Sequence, residues 1–364
     1  MTADAYGRLI AAPSRDRLDL FLAAANRLGA PVGHIEKDFW VCWTLNALYR
    51  ERPASDPRLL FKGGTSLSKA FGLIQRFSED IDITVFRDDL DAPAAIEDLE
   101  MLSNKKHRAR LDAIRDACRA YVRGRLRTFL AAQLADATAG AGRVEIDETD
   151  PEGQTLLVWY PEAEPRDDSY VRPAVRIECG AKSALDPNRP VDIQPYVGKE
   201  AAELDLVIGS VTTIDPARTF WDKIVIAHGL RRWYERRGVL RQEGQRVSRH
   251  YYDLHCLVHS DIGKSALTDH RLGGDCVRHA RMFFDRPDYD LASALPGSFA
   301  VAPAGAMIDA LGRDYANITA MIFGEAPGFD DILASVGRVE RTINSDEDLV
   351  PLRIGQALEK WRVK

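Results

Sequence analysis

The sequence predicts an α+β fold in two lobes: a mixed sheet with helices over residues 1–213, then a mainly helical lobe over residues 214–364. Three observations carry this. At 364 residues the chain has room for two cores. Up to about Val211, short alternating apolar runs are interleaved with amphipathic helical patterns. From Asp215-Pro216, a capping residue followed by proline at the first helical position, the pattern turns helical.

In chain order, Ser14 opens a helix over 15–28 with Leu18, Phe21, Leu22 and Ala25 apolar at helical spacing. A second helix over 35–49 carries Phe39, Trp40, Trp43, Leu45 and Leu48. A short strand at 59–61 runs into Gly63-Gly64-Thr65-Ser66 and a short helix, and a strand follows at 81–86. Residues 92–135 form a long helical region, keeping Leu111, Ile114, Cys118, Tyr121 and Phe129 on one face. Strands are expected at 143–147, 155–160 and 171–179, with an extended segment at 191–197, and 204–211 closes the α/β part. Helices follow at 217–230, 248–259, 271–284, 304–323 and 330–342, with an exposed basic loop over 231–249.

Composition excludes several classes. A hydrophobic share of 45% and a charged share of 29% are those of an ordinary globular chain. No run of about 18 apolar residues marks a membrane span, and the first residues lack the basic and apolar regions of a signal peptide. Five scattered cysteines, none in a Cys-x-x-Cys pair, point to a reducing compartment, so the expected location is the cytoplasm. The net charge of −6 gives no global sign of nucleic-acid binding, which leaves only local patches to argue from.

The chemistry concentrates between Phe61 and Val85. Asp80 and Asp82 alternate with Ile81 and Ile83, so both carboxylates leave the strand on one side. Two adjacent carboxylates stay ionised cheaply only with a cation between them, and a hard divalent metal prefers such oxygen ligands. Mg²⁺ is the expected ion, with Mn²⁺ the substitute. The Gly63-Gly64-Thr65-Ser66 turn opens a helix, where backbone amides receive phosphate. Glu178 alternates with Ile177 and Cys179, and is a third carboxylate if its strand lies beside that of the aspartates; a surface glutamate on an edge strand is the plainer reading.

Arg115, Arg119, Arg123 and Arg127 recur every four residues, an arrangement that costs stability in isolation. A polyanion would offset that cost, so these arginines are candidate RNA contacts, against the ordinary reading of a solvated face. His255 and His259 have zinc-ligand spacing, but neither a His-Glu-x-x-His pattern nor an evident third ligand accompanies them. Walker A and Gly-x-Ser-x-Gly patterns are absent.

Several pieces, taken in order, resemble the AbiEii/MenT-type nucleotidyltransferase toxins of the DNA polymerase β-like superfamily. They are Ile35-Glu36-Lys37-Asp38-Phe39-Trp40, Lys62-Gly63-Gly64-Thr65-Ser66-Leu67-Ser68-Lys69 and Arg76-Phe77-Ser78-Glu79-Asp80-Ile81-Asp82-Ile83. Further on come Arg176-Ile177-Glu178-Cys179-Gly180-Ala181, Arg218-Thr219-Phe220-Trp221-Asp222-Lys223 and Tyr251-Tyr252-Asp253-Leu254. Asp222 departs from the pattern, a glutamate being more usual there, and the arginine-rich stretch between Lys223 and Asp253 has the look of an insertion.

The resemblance implies a nucleotidyltransferase-type sheet. It implies that Asp80 and Asp82 hold Mg²⁺ on a nucleoside triphosphate, with Gly63, Gly64, Thr65, Ser66 and Lys69 around its phosphates. Lys223 would bind the phosphates from the helical lobe, and Asp253 would orient Lys223 or the nucleotide; from the residues alone that pair reads as a plain salt bridge. The implied acceptor is RNA, the 3′ end of tRNA above all, and the implied partner is a cognate antitoxin. Transfer to a protein or small molecule, or a non-catalytic RNA-binding module, are the alternatives.

Overall fold

The computed structural model describes residues 5–164, 172–241 and 246–345. The chain divides into two compact units. One runs to Asp215 and takes in Met321–Glu325; the other comprises Pro216–Ala320 and the chain from Ala326 onward.

The first unit is built on one seven-stranded sheet. Its strands are β1 (Leu59–Lys62), β2 (Asp80–Val85), β3 (Arg143–Ile146), β4 (Thr155–Trp159), β5 (Ala174–Gly180), β6 (Asn188–Ile193) and β7 (Ile208–Ile214). They lie in the order β3-β4-β5-β2-β1-β7-β6. The β2–β5 and β1–β7 pairs are parallel and the rest antiparallel, so the sheet is mixed and the fold α+β. β7 lies a few residues later than expected, because Leu204 and Leu206 sit in a turn while Val211 and Thr213 pair with neighbouring strands. The expected start of β5, Val171, lies outside the described residues.

The helices of this unit are α1 (Ala5–Ala11), α2 (Ser14–Leu28), α3 (Val32–Asn46), α4 (Gly63–Lys69), α5 (Ile96–Glu100), α6 (Asn104–Tyr121) and α7 (Arg127–Ala137). α2 stops where Gly29 takes a φ of 62° and returns its N–H to Ala25. The core gathers Phe21, Phe39, Trp40, Leu60, Phe61, Leu67, Ile81 and Ile83, all nearly inaccessible. The long helical region resolves into α5, α6 and α7, the last two joined by a π turn over Val122–Leu126.

The second unit is helical: α8 (Pro216–Arg237), α9 (Arg249–His259), α10 (Asp261–Leu267), α11 (His270–Phe283), α12 (Ala306–Ala316) and α13 (Phe329–Ser345). The basic stretch expected as a loop from Arg231 is instead the last turns of α8 as far as Arg237. Helical spacing lets Arg231 and Arg232 pair with Glu235 at 2.7 and 3.0 Å, and Arg237 reaches Asp288 at 2.6 Å. Glu243, in the same expected loop, lies outside the described residues. Where a helix was expected to continue to 323, α12 ends at Ala316, and the backbone of Met321–Phe323 bonds to residues 75–77 of the first unit's fold. No described helix is long and apolar enough to cross a membrane.

Candidate active site

β2 is the sheet strand that carries the acids. Ile81 and Ile83 are fully buried, which leaves Asp80 and Asp82 on the opposite face. Register completes the row: Asp82 stands opposite Lys62 of β1 and Glu178 of β5, and Asp80 opposite Arg176 of β5. Registered neighbours share a face of the sheet. The strand of Glu178 therefore does lie beside that of the aspartates.

Lys62 and Arg176 are the basic residues in register with these acids. Lys62 Nζ is 3.9 Å from Asp82 Oδ1. Arg176 donates through Nε to Asp147 Oδ2 at 3.0 Å and through Nη1 to Glu178 Oε1. Burial, with the charges of Glu79, Glu178 and Asp82 around it, pushes the Asp80 carboxyl up to about 6 despite Arg176. At Asp80, burial and the acidic neighbours thus outweigh the nearby arginine.

The glycine turn abuts it. Gly63 has a φ of 80°, and a Cβ there would stand 2.0 Å from Asp82 Oδ2, so both backbone and space demand glycine. Thr65 and Ser66 are buried, and their hydroxyls brace the turn. Thr65 Oγ1 bonds to the Asp80 carbonyl and lies 2.7 Å from Ser78 Oγ; Ser66 Oγ donates to the Gly63 carbonyl at 2.9 Å. Lys69 at the end of α4 is held too: its Nζ is 2.7 Å from Asp38 Oδ1 and 3.6 Å from the centre of the Tyr196 ring. Burial works against the Lys69 ammonium, but Asp38 outweighs it and keeps the lysine charged.

Sequence reasoning gave no role to three residues that hold this region together. Glu36, Lys37 and Asp38 follow one another on α3, and all are buried. Glu36 accepts from the Ala163 amide at 2.6 Å, Lys37 donates to Glu79 at 2.6 Å, and Asp38 accepts from the Tyr196 amide at 2.7 Å besides binding Lys69. The available signal was their setting. A helix flanked by Ile35, Phe39, Trp40 and Val41 is apolar on every side, so charges inside it must be paired.

In the second unit, Lys223 Nζ lies 2.6 Å from Asp253 Oδ2, with side chains 7% and 0% exposed, so Asp253 fixes the ammonium. Arg218 reaches Asp222 at 3.2 Å. His255 pairs with Ser335 and His259 with the His255 carbonyl, and no metal-holding group forms around them among the described residues. The arginine row of α6 and α7 is partly occupied. Arg115 binds Asp112 and Asp116, Arg119 donates to the Glu152 carbonyl at 2.7 Å, and Arg123 stands 3.9 Å from Glu148.

Among the described residues no three His, Cys, Asp or Glu side chains form a ready metal cage. Mg²⁺ does not require one, since it is commonly bound by one or two carboxylates together with water and substrate phosphates. Asp80 and Asp82, hard oxygen donors on one face of β2 beside Glu178, fit such an ion.

The model of the nucleotidyl transferase AbiEii toxin family, of type IV toxin–antitoxin systems, matches residues 46–335. The chain belongs to that family. It is thus a nucleotidyltransferase-family toxin, and membership implies an antitoxin. The AbiEii match includes the glycine turn, both aspartates, Glu178, Lys223 and Asp253, and leaves the α3 charges outside. A solved structure similar to it is MenT4, a nucleotidyltransferase toxin from Mycobacterium tuberculosis H37Rv, at 17% identity over 92% of each chain with a TM-score of 0.48. No curated protein matches.

Proposed function

We propose that this AbiEii-family protein transfers nucleotides from an NTP to RNA, at the 3′ end of tRNA, using Mg²⁺ or Mn²⁺ held by Asp80 and Asp82. The observation that carries the reading is the crowded carboxylate face of β2, where Asp80 sits up at about 6 beside Asp82, Glu79 and Glu178. A divalent ion there would supply charge neutralisation for the phosphates. The chain's own work is placement. The acceptor hydroxyl attacks the α-phosphorus and pyrophosphate leaves, a reaction that needs in-line positioning more than covalent help.

On this reading the turn at Gly63 and Gly64 receives the phosphates with its backbone, while Thr65, Ser66 and Lys69 keep the turn in shape. Lys223, fixed by Asp253, binds nucleotide phosphates, and Glu178 adds negative charge beside the metal pair. Arg115, Arg119, Arg123 and Arg127 contact RNA. The protein works in the cytoplasm, where its antitoxin is also made.

A second acceptor gains from one observation. Asp112, Asp116, Glu148 and the Glu152 carbonyl already serve Arg115, Arg119 and Arg123, which weakens the case that these arginines await a polyanion. A protein or a small molecule is then the acceptor.

Incubation with each labelled NTP, Mg²⁺ and total RNA separates the readings. Label in RNA, lost on chelation and in the Asp80→Ala, Asp82→Ala double variant, is the expected result. Label in protein or in a soluble product selects the second acceptor. No label in any fraction overturns the enzymatic reading.

A further inference from the structure

The Lys69 ammonium, the cation at the end of the turn's helix, lies between Asp38 and the Tyr196 ring. We propose that Arg76, buried against Gly64 and clamped by Met321–Phe323, is the arginine that binds the triphosphate of the NTP at this turn. The proposal rests on the reading of the turn as an NTP phosphate site.

Gly64 supplies the first argument. Unlike Gly63, it is not among the positive-φ glycines, so its backbone does not demand glycine. What a side chain there would displace is the guanidinium: a Cβ on Gly64 would stand 2.4 Å from Arg76 Nη2 and 3.3 Å from its Cζ. The missing side chain lets a guanidinium lie directly over the turn.

The second argument is preorganisation. Arg76 is 6% exposed. Its backbone forms an antiparallel bridge with Ile322, flanked by Phe77 N to Met321 O at 2.7 Å and Phe323 N to Gln75 O at 2.8 Å. Phe323 is packed edge-on against Tyr196 at 5.6 Å and lies 6.4 Å from His34. A segment far along the chain thus fixes the backbone on which Arg76 sits, and its burial leaves the side chain little freedom to lose on binding.

The chemistry is suited to the task. A guanidinium presents five donors in a planar fork that matches phosphate bidentately. An ammonium capped by a carboxylate and a ring face has no such fork.

The test measures Mg²⁺-NTP affinity, KM and kcat, and competition by inorganic tripolyphosphate, in the wild type, Arg76→Ala, Arg76→Lys, Gly64→Ala and Gly64→Ala/Arg76→Ala, with folding followed by circular dichroism. Expected for Arg76→Ala is at least tenfold weaker binding of NTP and tripolyphosphate alike, carried in KM more than kcat, with only partial recovery in Arg76→Lys. Gly64→Ala, which displaces the guanidinium without removing it, weakens binding similarly, and the double variant is no worse than Arg76→Ala alone. Affinity within twofold of wild type in folded Arg76→Ala, multiplicative effects in the double variant, or unaltered tripolyphosphate competition each overturn the assignment. If Arg76→Ala does not fold, unchanged affinity in folded Gly64→Ala overturns it. A wild type that binds no NTP brings down the parent reading instead, which sets that failure apart.

Discussion

Two runs of like charge stand out in this chain, and the fold treats them in opposite ways. The arginines of α6 and α7 are met by Asp112 and Asp116 on their own helix, and by Glu148 and the Glu152 carbonyl from the turn between β3 and β4. The carboxylates on and beside β2 meet Lys62 at 3.9 Å, Lys37 on Glu79, and an Arg176 divided between Glu178 and Asp147, and at Asp80 burial and the neighbouring acids still outweigh Arg176. Like charge in a sequence is therefore a functional signal only where the fold withholds the countercharge. By that measure the acidic row is the stronger candidate site, and the arginines are first a brace.

The largest expected effect tests the acidic row. Replacing both Asp80 and Asp82 by alanine lowers nucleotidyl transfer at least about 10³-fold, roughly 4 kcal/mol of barrier, while the circular dichroism spectrum stays that of the wild type. Retained activity would remove the row from the chemistry.

Next comes a charge pair that the fold completes. Lys69→Met leaves Asp38 buried with only the Tyr196 amide in place of the lysine, at a cost of about 3 kcal/mol in chemical denaturation. Adding Asp38→Asn recovers most of it, because the stranded charge is then gone. No recovery would mean that the buried pair is not what sets the stability here.

The acidic row predicts the opposite sign. Asp80 titrates near 6 in the fold against 3.8 as an ordinary carboxyl, so the folded protein binds the proton more tightly than the unfolded one. Metal-free protein therefore loses stability as pH rises from about 4 through 6, and the loss is complete above 6. Asp80→Asn abolishes that slope and raises stability at pH 7.5 by about 2 kcal/mol, after allowance for the solvent that reaches the group. Thermal unfolding in the presence of a chelator measures it; a destabilised Asp80→Asn would show that the row is neutralised after all.

How much of this was legible in the sequence differs between the same two regions. The alternation of Asp80, Ile81, Asp82 and Ile83 specified a strand with one acidic face, because period two is a local property. The place of Glu178 was not legible, since it depends on β5 lying parallel to β2 with nearly a hundred residues between them. The arginine spacing pointed to helix, interrupted in the structure by the π turn over Val122–Leu126, and the countercharges come partly from a turn that no periodicity announces. The roles of Glu36, Lys37 and Asp38 were hidden for a related reason: each is satisfied by a different distant segment. Helix ends failed where charge pairing prolonged α8 to Arg237, and where backbone bonding to residues 75–77 claimed Met321–Phe323.

The smallest effect is the one that decides what the arginines do beyond bracing. Arg119→Ala removes a bond to the Glu152 carbonyl and lowers stability by about 1 kcal/mol, with or without RNA. Arg123 and Arg127 are different, since Arg123 faces a largely exposed Glu148 at 3.9 Å and Arg127 is exposed. Pairs of that kind contribute little, so Arg123→Ala with Arg127→Ala changes stability by no more than about 0.5 kcal/mol. If RNA lies on this face, the same double variant weakens RNA binding across sequences and reduces the slope of log affinity against log salt by about 2, one for each phosphate no longer neutralised. A salt titration by filter binding, run on both variants, reads the two effects separately. An unchanged slope in Arg123→Ala/Arg127→Ala would confine the arginine row to its structural part and move the acceptor of the acidic site away from RNA bound along α6 and α7.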